Sequence, residues 1–150
     1  MARPPRPSWD RDSAFFWEGL EQGELRVQRC AACSALRHPP GPMCPGCQSL
    51  DWDWIVSTGR GEVTSFVVHH HPPVPGFTPP FVVALVEIEE GTRLVANLVG
   101  VEPEAVEIGL AVEIEFQRIE GDQGWVLPRW RPRSATADAR ATALAAGSPP

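Results

Sequence analysis

The sequence predicts an all-β chain with one short N-terminal helix, divided into a small metal-clamped ribbon and a barrel of five strands. Three observations carry that reading. Seventeen Pro and thirteen Gly in 150 residues punctuate the chain too often for a helical bundle. After position 50 the apolar residues recur at period two or in short continuous runs, the patterns of strands. The four cysteines form two pairs, Cys30-Ala31-Ala32-Cys33 and Cys44-Pro45-Gly46-Cys47, ten residues apart. Two knuckles that each present two thiolates fit a tetrahedral metal site.

The elements follow in order. Residues 1–9 are rich in Arg and Pro and are expected to be disordered. Residues 10–24 form the helical segment: Asp10 or Asp12 caps it, Phe16 and Leu20 lie one turn apart, and Gly23 stops it. Trp9, Phe15, Phe16 and Trp17 make this segment aromatic, so it either folds back on its own domain or docks on a partner. Residues 25–58 make the ribbon. A strand over 25–28 enters the first knuckle, and residues 36–43 hold too many Pro for a helix. Leu50, Trp52, Trp54 and Val56, alternating with Asp51, Asp53 and Ile55, form the strand leaving the second knuckle.

Residues 59–133 have a different texture. Gly59-Arg60-Gly61 breaks the pattern, and 62–70 is the first strand of the new part. Residues 71–76 form a Pro-rich loop. The apolar run 81–88 is expected to be a strand covered on both faces. Glu90-Gly91 turns the chain into a hairpin partner over 93–99. Pro103 opens one helical turn. Val112, Ile114 and Phe116 alternate with Glu113, Glu115 and Gln117 in a strand with one wet face. Residues 125–130 supply the last strand. Five strands with a helical turn between the third and fourth is the order of an OB-type barrel. The Ala-rich residues 134–150 are expected to be a disordered tail, and no internal repeat is visible.

Composition narrows the function. The formal charge is −6 and all thirteen basic residues are Arg. An acidic chain without Lys is poorly suited to wrapping a phosphate backbone. Its six Trp nevertheless keep a single-stranded nucleic-acid module as the alternative reading. No apolar run approaches the roughly 20 residues that span a bilayer. The N-terminus has charge but no apolar h-region, and thiolate ligands favour a reducing compartment. The expected location is cytoplasmic, without membrane contact.

Cys30, Cys33, Cys44 and Cys47 are the candidate metal ligands. Four thiolates leave no open coordination position, so the ion would be structural. Zinc is the commoner outcome, and iron takes the same ligands in rubredoxin-type knuckles. A redox reading of either Cys-x-x-Cys would want a helix start in a βαβ unit, which neither pair has. His69, His70 and His71 cannot converge on one ion, because adjacent side chains on a strand point to opposite faces. No nucleophile, base and orienting group stand out as a set, so no catalytic residue is assigned. Arg26, Arg29, Arg37 and Arg60 lie on the ribbon or its junction; by default they are surface residues, and alternatively a phosphate-recognition patch. The glutamates of the second half form a solvated face.

Several short stretches together resemble a known family. They are Phe16-Trp17-Glu18-Gly19, Gly23-Glu24-Leu25, Gln28-Arg29-Cys30-Ala31-Ala32-Cys33, His38-Pro39-Pro40, Cys44-Pro45-Gly46-Cys47, Ser57-Thr58-Gly59-Arg60-Gly61, Pro75-Gly76-Phe77, Asn97-Leu98-Val99-Gly100, residues 109–113 and Leu127-Pro128. Across residues 10–132 the chain resembles the domain of unknown function thirty-five family, OB-fold proteins with a rubredoxin-like zinc ribbon. The resemblance implies a non-catalytic accessory subunit for a thiolase-like enzyme acting on acyl-CoA. His69-His70-His71-Pro72-Pro73 is most similar to the version from steroid side-chain degradation. That version is fused behind a MaoC-type hydratase and pairs with an aldolase of lipid-transfer-protein type. The resemblance also implies acyl-CoA at the shared interface, with Arg29, Arg37 and Arg60 as candidates for its phosphates.

Overall fold

The computed structural model describes residues 3–121 and 123–134. The expected tail beyond 134 lies outside these residues. Residues 3–9 have no helix or strand. Helix α1 (Ala14–Glu21) is shorter than the expected span, because residues 11–13 form a turn. The Asp10 carboxylate accepts from the Ser13 amide at 2.8 Å and the Ser13 hydroxyl at 2.6 Å, closing that turn ahead of the helix. Gly23, at φ +73, ends the helix as expected.

Strands β1 (Arg26–Cys30), β2 (Leu36–Arg37) and β3 (Trp52–Val56) form a three-stranded antiparallel ribbon in the order β2-β1-β3. Helix α1 folds back onto it. Phe15 packs between Trp52 at 5.0 Å and Trp54 at 5.6 Å, and Phe16 meets His38 at 5.0 Å. Burial of that kind lets a helix of eight residues persist, where propensity alone would not. The same helix reaches the second module through the Glu21–Arg118 ion pair. Leu50, two residues ahead of β3, and Val56 at its end lie open to solvent.

The second module is a closed barrel in the order β4-β5-β6-β8-β7. Its strands are β4 (Arg60–His69), β5 (Phe81–Ile88), β6 (Arg93–Leu98), β7 (Ala111–Ile119) and β8 (Trp125–Pro132). A 3₁₀ turn at Pro103–Ala105 joins β6 to β7. The pairing of β6 with β8 is parallel, and every other seam is antiparallel. Val63, Val82, Ala84, Val86, Leu94, Leu98, Val112 and Trp130 fill the interior. Strand β5 departs from expectation: Val82, Ala84, Val86 and Ile88 are buried, while Phe81, Val83 and Leu85 on the outer face are only half-buried. A barrel strand has one packed side, so an apolar run need not mean two.

Gly59-Arg60-Gly61 is the junction between the modules. Gly59 adopts φ +75, and a Cβ on Gly61 would collide with the Glu87 carbonyl where β4 pairs with β5. The junction is then tied by one turn of the barrel. Ser57 Oγ donates to Glu90 at 2.8 Å and the Thr58 amide donates to the same carboxylate at 2.7 Å. Ser57 is also bonded to the ribbon, its amide donating to the Leu25 carbonyl at 2.8 Å. Glu90→Ala is expected to cost about 1–2 kcal/mol, the loss of two charge-assisted bonds offset by solvent access. Thermal melting would read that loss, and amide exchange at Thr58 would accelerate; Glu90→Gln should recover part of both.

Candidate metal centre

The four cysteines come together. Their Sγ atoms all lie within 4.8 Å of one another, with Cys30 and Cys47 at 3.5 Å and Cys33 and Cys44 at 3.6 Å. Zn–S bonds of about 2.3 Å at tetrahedral angles place sulfurs about 3.8 Å apart, so the donor set fits such an ion. None of the four is in a disulfide. Cys30 and Cys44 are buried, and Cys33 and Cys47 are exposed.

The two knuckles have the same backbone. In the first, Cys30 N donates to Ala35 O and Ser34 N to Cys30 O, each at 2.9 Å. In the second, Cys44 N donates to Ser49 O and Gln48 N to Cys44 O, each at 2.9 Å. Ser34 and Gln48 occupy equivalent positions and both take the left-handed conformation, at φ 62 and 63. The shared motif is a structural repeat that residue identity outside the cysteines does not reveal.

The knuckle geometry sets the electrostatics. The Cys44 thiol is drawn down to about 6, first by the Cys47 backbone N–H and then by that of Gly46. Cys30 is lowered likewise, chiefly by the Cys33 amide. Cys47 has one such donor, the Ser49 amide, which pulls it down; the thiols of Cys30, Cys33 and Cys44 outweigh it and push Cys47 up to about 12. Four crowded sulfurs therefore do not all ionise without a countercharge, and a dication supplies one.

A buried glutamine holds the frame. Gln28 lies on β1; its Nε2 donates to the Gly41 carbonyl at 3.0 Å, and its Oε1 accepts from the Gly41 amide at 2.9 Å and from Arg37 Nε at 2.7 Å. Gln28 thus acts as one more rung of sheet, fixing the Pro-rich loop between the knuckles. Nothing in its local sequence marks this, because its partner is a backbone thirteen residues away.

The arginines have internal partners. Arg29 makes a bidentate pair with Asp53 at 2.8 and 2.7 Å, and holds the Asp53 carboxyl below the usual range. Arg37 also reaches the Gly41 carbonyl at 3.1 Å. Arg60 pairs with Glu89 at 3.2 Å, and Arg26 with Glu24 at 2.8 Å. His69 stacks on Phe81 at 4.7 Å, with Nε2 against the Pro72 carbonyl at 2.6 Å; His70 and His71 are exposed. Among the described residues, the four cysteines are the group with metal-ligand geometry. No helix among these residues is long and apolar enough to cross a membrane.

Fold and site together define a zinc-ribbon–OB-barrel protein. Residues 17–53 match a family profile described as the ChsH2 rubredoxin-like zinc ribbon domain, and residues 54–117 match the ChsH2 C-terminal OB-fold domain. A solved structure titled Ltp2-ChsH2(DUF35) aldolase contains a chain 54% identical, with a TM-score of 0.77, covering 85% of this chain and 98% of that one. The chain therefore belongs to the DUF35 family, in its ChsH2 group. It is 54% identical over 128 residues to a probable enoyl-CoA hydratase alpha subunit of Thermomonospora curvata. It is 50% identical over 127 residues to the 3-oxo-4,17-pregnadiene-20-carboxyl-CoA hydratase alpha subunit of Mycobacterium tuberculosis. Each alignment covers 85% of this chain and 40% of the relative, so the chain spans less than half the length of those proteins.

Proposed function

We propose that this chain is a non-catalytic accessory subunit of a thiolase-like acyl-CoA enzyme, specifically a retro-aldolase of steroid side-chain degradation. The observation that carries the reading is its likeness to the chain in the Ltp2-ChsH2(DUF35) aldolase, at 54% identity across 98% of that chain. In this reading Zn²⁺ sits among Cys30, Cys33, Cys44 and Cys47, where it is structural and touches no substrate. The carbon–carbon bond is cleaved in a lipid-transfer-protein-like partner. This chain supports the partner's fold and its acyl-CoA site. The two hydratase relatives favour a MaoC-type hydratase as a further associate.

For the CoA phosphates the candidates remain Arg29, Arg37 and Arg60. Arg29 and Arg60 have partly exposed side chains and would exchange a carboxylate for a phosphate; Arg37 is held by Gln28 and Gly41. The nucleic-acid alternative is disfavoured by charge placement. Arg93, Arg118, Arg129 and Arg131 on the barrel are paired with Glu87, Glu21, Glu115 and Glu113, which breaks up any basic stripe.

Co-expression with an aldolase of that type tests the proposal. The two chains should purify together, and cleavage of a β-hydroxyacyl-CoA should require both. An aldolase that cleaves at full rate without this chain would overturn the reading.

A further inference from the structure

Residues 3–7 read Arg-Pro-Pro-Arg-Pro. Such a run favours the polyproline II conformation, which is preformed and makes no internal hydrogen bonds. Proteins recognise it with aromatic-lined grooves. Here the run lies against the barrel, between the loop joining β4 to β5 and the turn leading into β8. Arg3 donates to the Glu120 carbonyl at 3.0 Å, and its guanidinium lies 5.6 Å over the Trp125 ring. Arg6 donates to the Gln123 side chain and lies 5.4 Å over Trp9. Pro4 and Pro5 border a groove of about 470 Å³ whose other walls include Trp17, Phe77, Phe81 and Leu127.

The barrel side is shaped for this contact. A Cβ on Gly76 would collide with the Pro4 backbone, and one on Gly121 with the Arg3 guanidinium. One glycine therefore stands on each side of the segment. In OB folds this face, over the second and third strands and between these two loops, is where ligands bind. We propose that it is a binding site for arginine-flanked polyproline segments, and that its resident ligand is residues 3–7 of the same chain. Cation–π and single hydrogen-bond contacts are each weak, but tethering makes their union intramolecular. A proline-rich segment of another chain that takes the same seat must first displace the arm. The inference stands apart from the aldolase reading.

Amide and indole NMR of the whole chain tests it. The Arg6 and Trp9 amides should relax as ordered residues. The double variant Arg3→Ala/Arg6→Ala should bring them to random-coil values and shift the Trp125 indole and Gly121 amide signals. Gly76→Ala should release the arm from the opposite side, with both arginines intact. A synthetic peptide of residues 1–9, added to the double variant at millimolar concentration, should restore the Trp125 signal and saturate. Random-coil relaxation of the arm in the unsubstituted chain would overturn the proposal, as would a peptide that moves no resonance of the groove.

Discussion

Replacing Cys30 or Cys44 with serine is expected to abolish stoichiometric metal binding and to unfold the ribbon while the barrel stays folded. The ribbon has three short strands, and its own buried residues are few: Leu25, Val27, Gln28, Ser57 and the two inner cysteines. Structural zinc in peptides of this size supplies about 10–16 kcal/mol of binding free energy, which doubles as folding free energy. Removing one buried thiolate would forfeit most of that. Elemental analysis would report the lost ion. Amide spectra would then show collapse of residues 26–56 and fraying of α1, whose Phe15 and Phe16 lose Trp52 and His38. Residues such as Val82 and Val112, deep in the barrel, would keep their shifts. A chain without metal whose ribbon remains ordered would contradict the proposed role of the ion.

Acid should act in the same direction. The Cys44 thiol is lowered in the folded site, to about 6. A lowered group stabilises the fold above its unfolded value, and that contribution is lost as pH falls through the folded one. A bound dication holds the four sulfurs as thiolates, so acidification should release it with cooperative uptake of protons. Titration with a chromophoric chelator against pH reads both the midpoint and the steepness.

Trp130→Ala is expected to be the most damaging single change in the barrel, at about 3–5 kcal/mol. Trp130 is fully buried at the parallel seam, opposite Leu98 on β6 and Ile114 on β7, and its carbonyl accepts from the Val99 amide at 2.9 Å. A domain stable by about 5–15 kcal/mol has little margin for that loss. The indole N–H of Trp130 has no hydrogen-bond partner among the described residues. Trp130→Phe removes that unpaired donor along with some volume, so it should cost far less than Trp130→Ala. Denaturant melts of both variants test the pair; equal losses would mean that ring volume is not what Trp130 contributes.

Much of this architecture was legible in the chain. The Cys-x-x-Cys spacing pointed to the four-sulfur cluster because short knuckles leave few other arrangements. Period-two alternation, a continuous apolar run and glycine turns marked the barrel strands, since each is a local property of the chain. The reading fell short where a residue's role depends on something distant. Gln28 looked like an ordinary strand residue, and its work is done through Gly41. The outer face of β5, with Val67 and Val95 beside it at 62% and 58% exposed, carried an apolar signal that did not mean burial. For the aromatic helical segment both destinations were open; Phe15 and Phe16 turn inward on the chain itself, and Trp9 does not.

The closure of the barrel bears on the order in which the molecule assembles. The β4–β5–β6 meander pairs neighbours in sequence, whereas the last seam joins residues 60–62 to residues 111–113, about fifty positions along the chain. Chain entropy penalises that late seam most, so it should limit the folding rate. The knuckles close over loops of a few residues and need not wait. During synthesis the ribbon can therefore capture its ion before the barrel is complete.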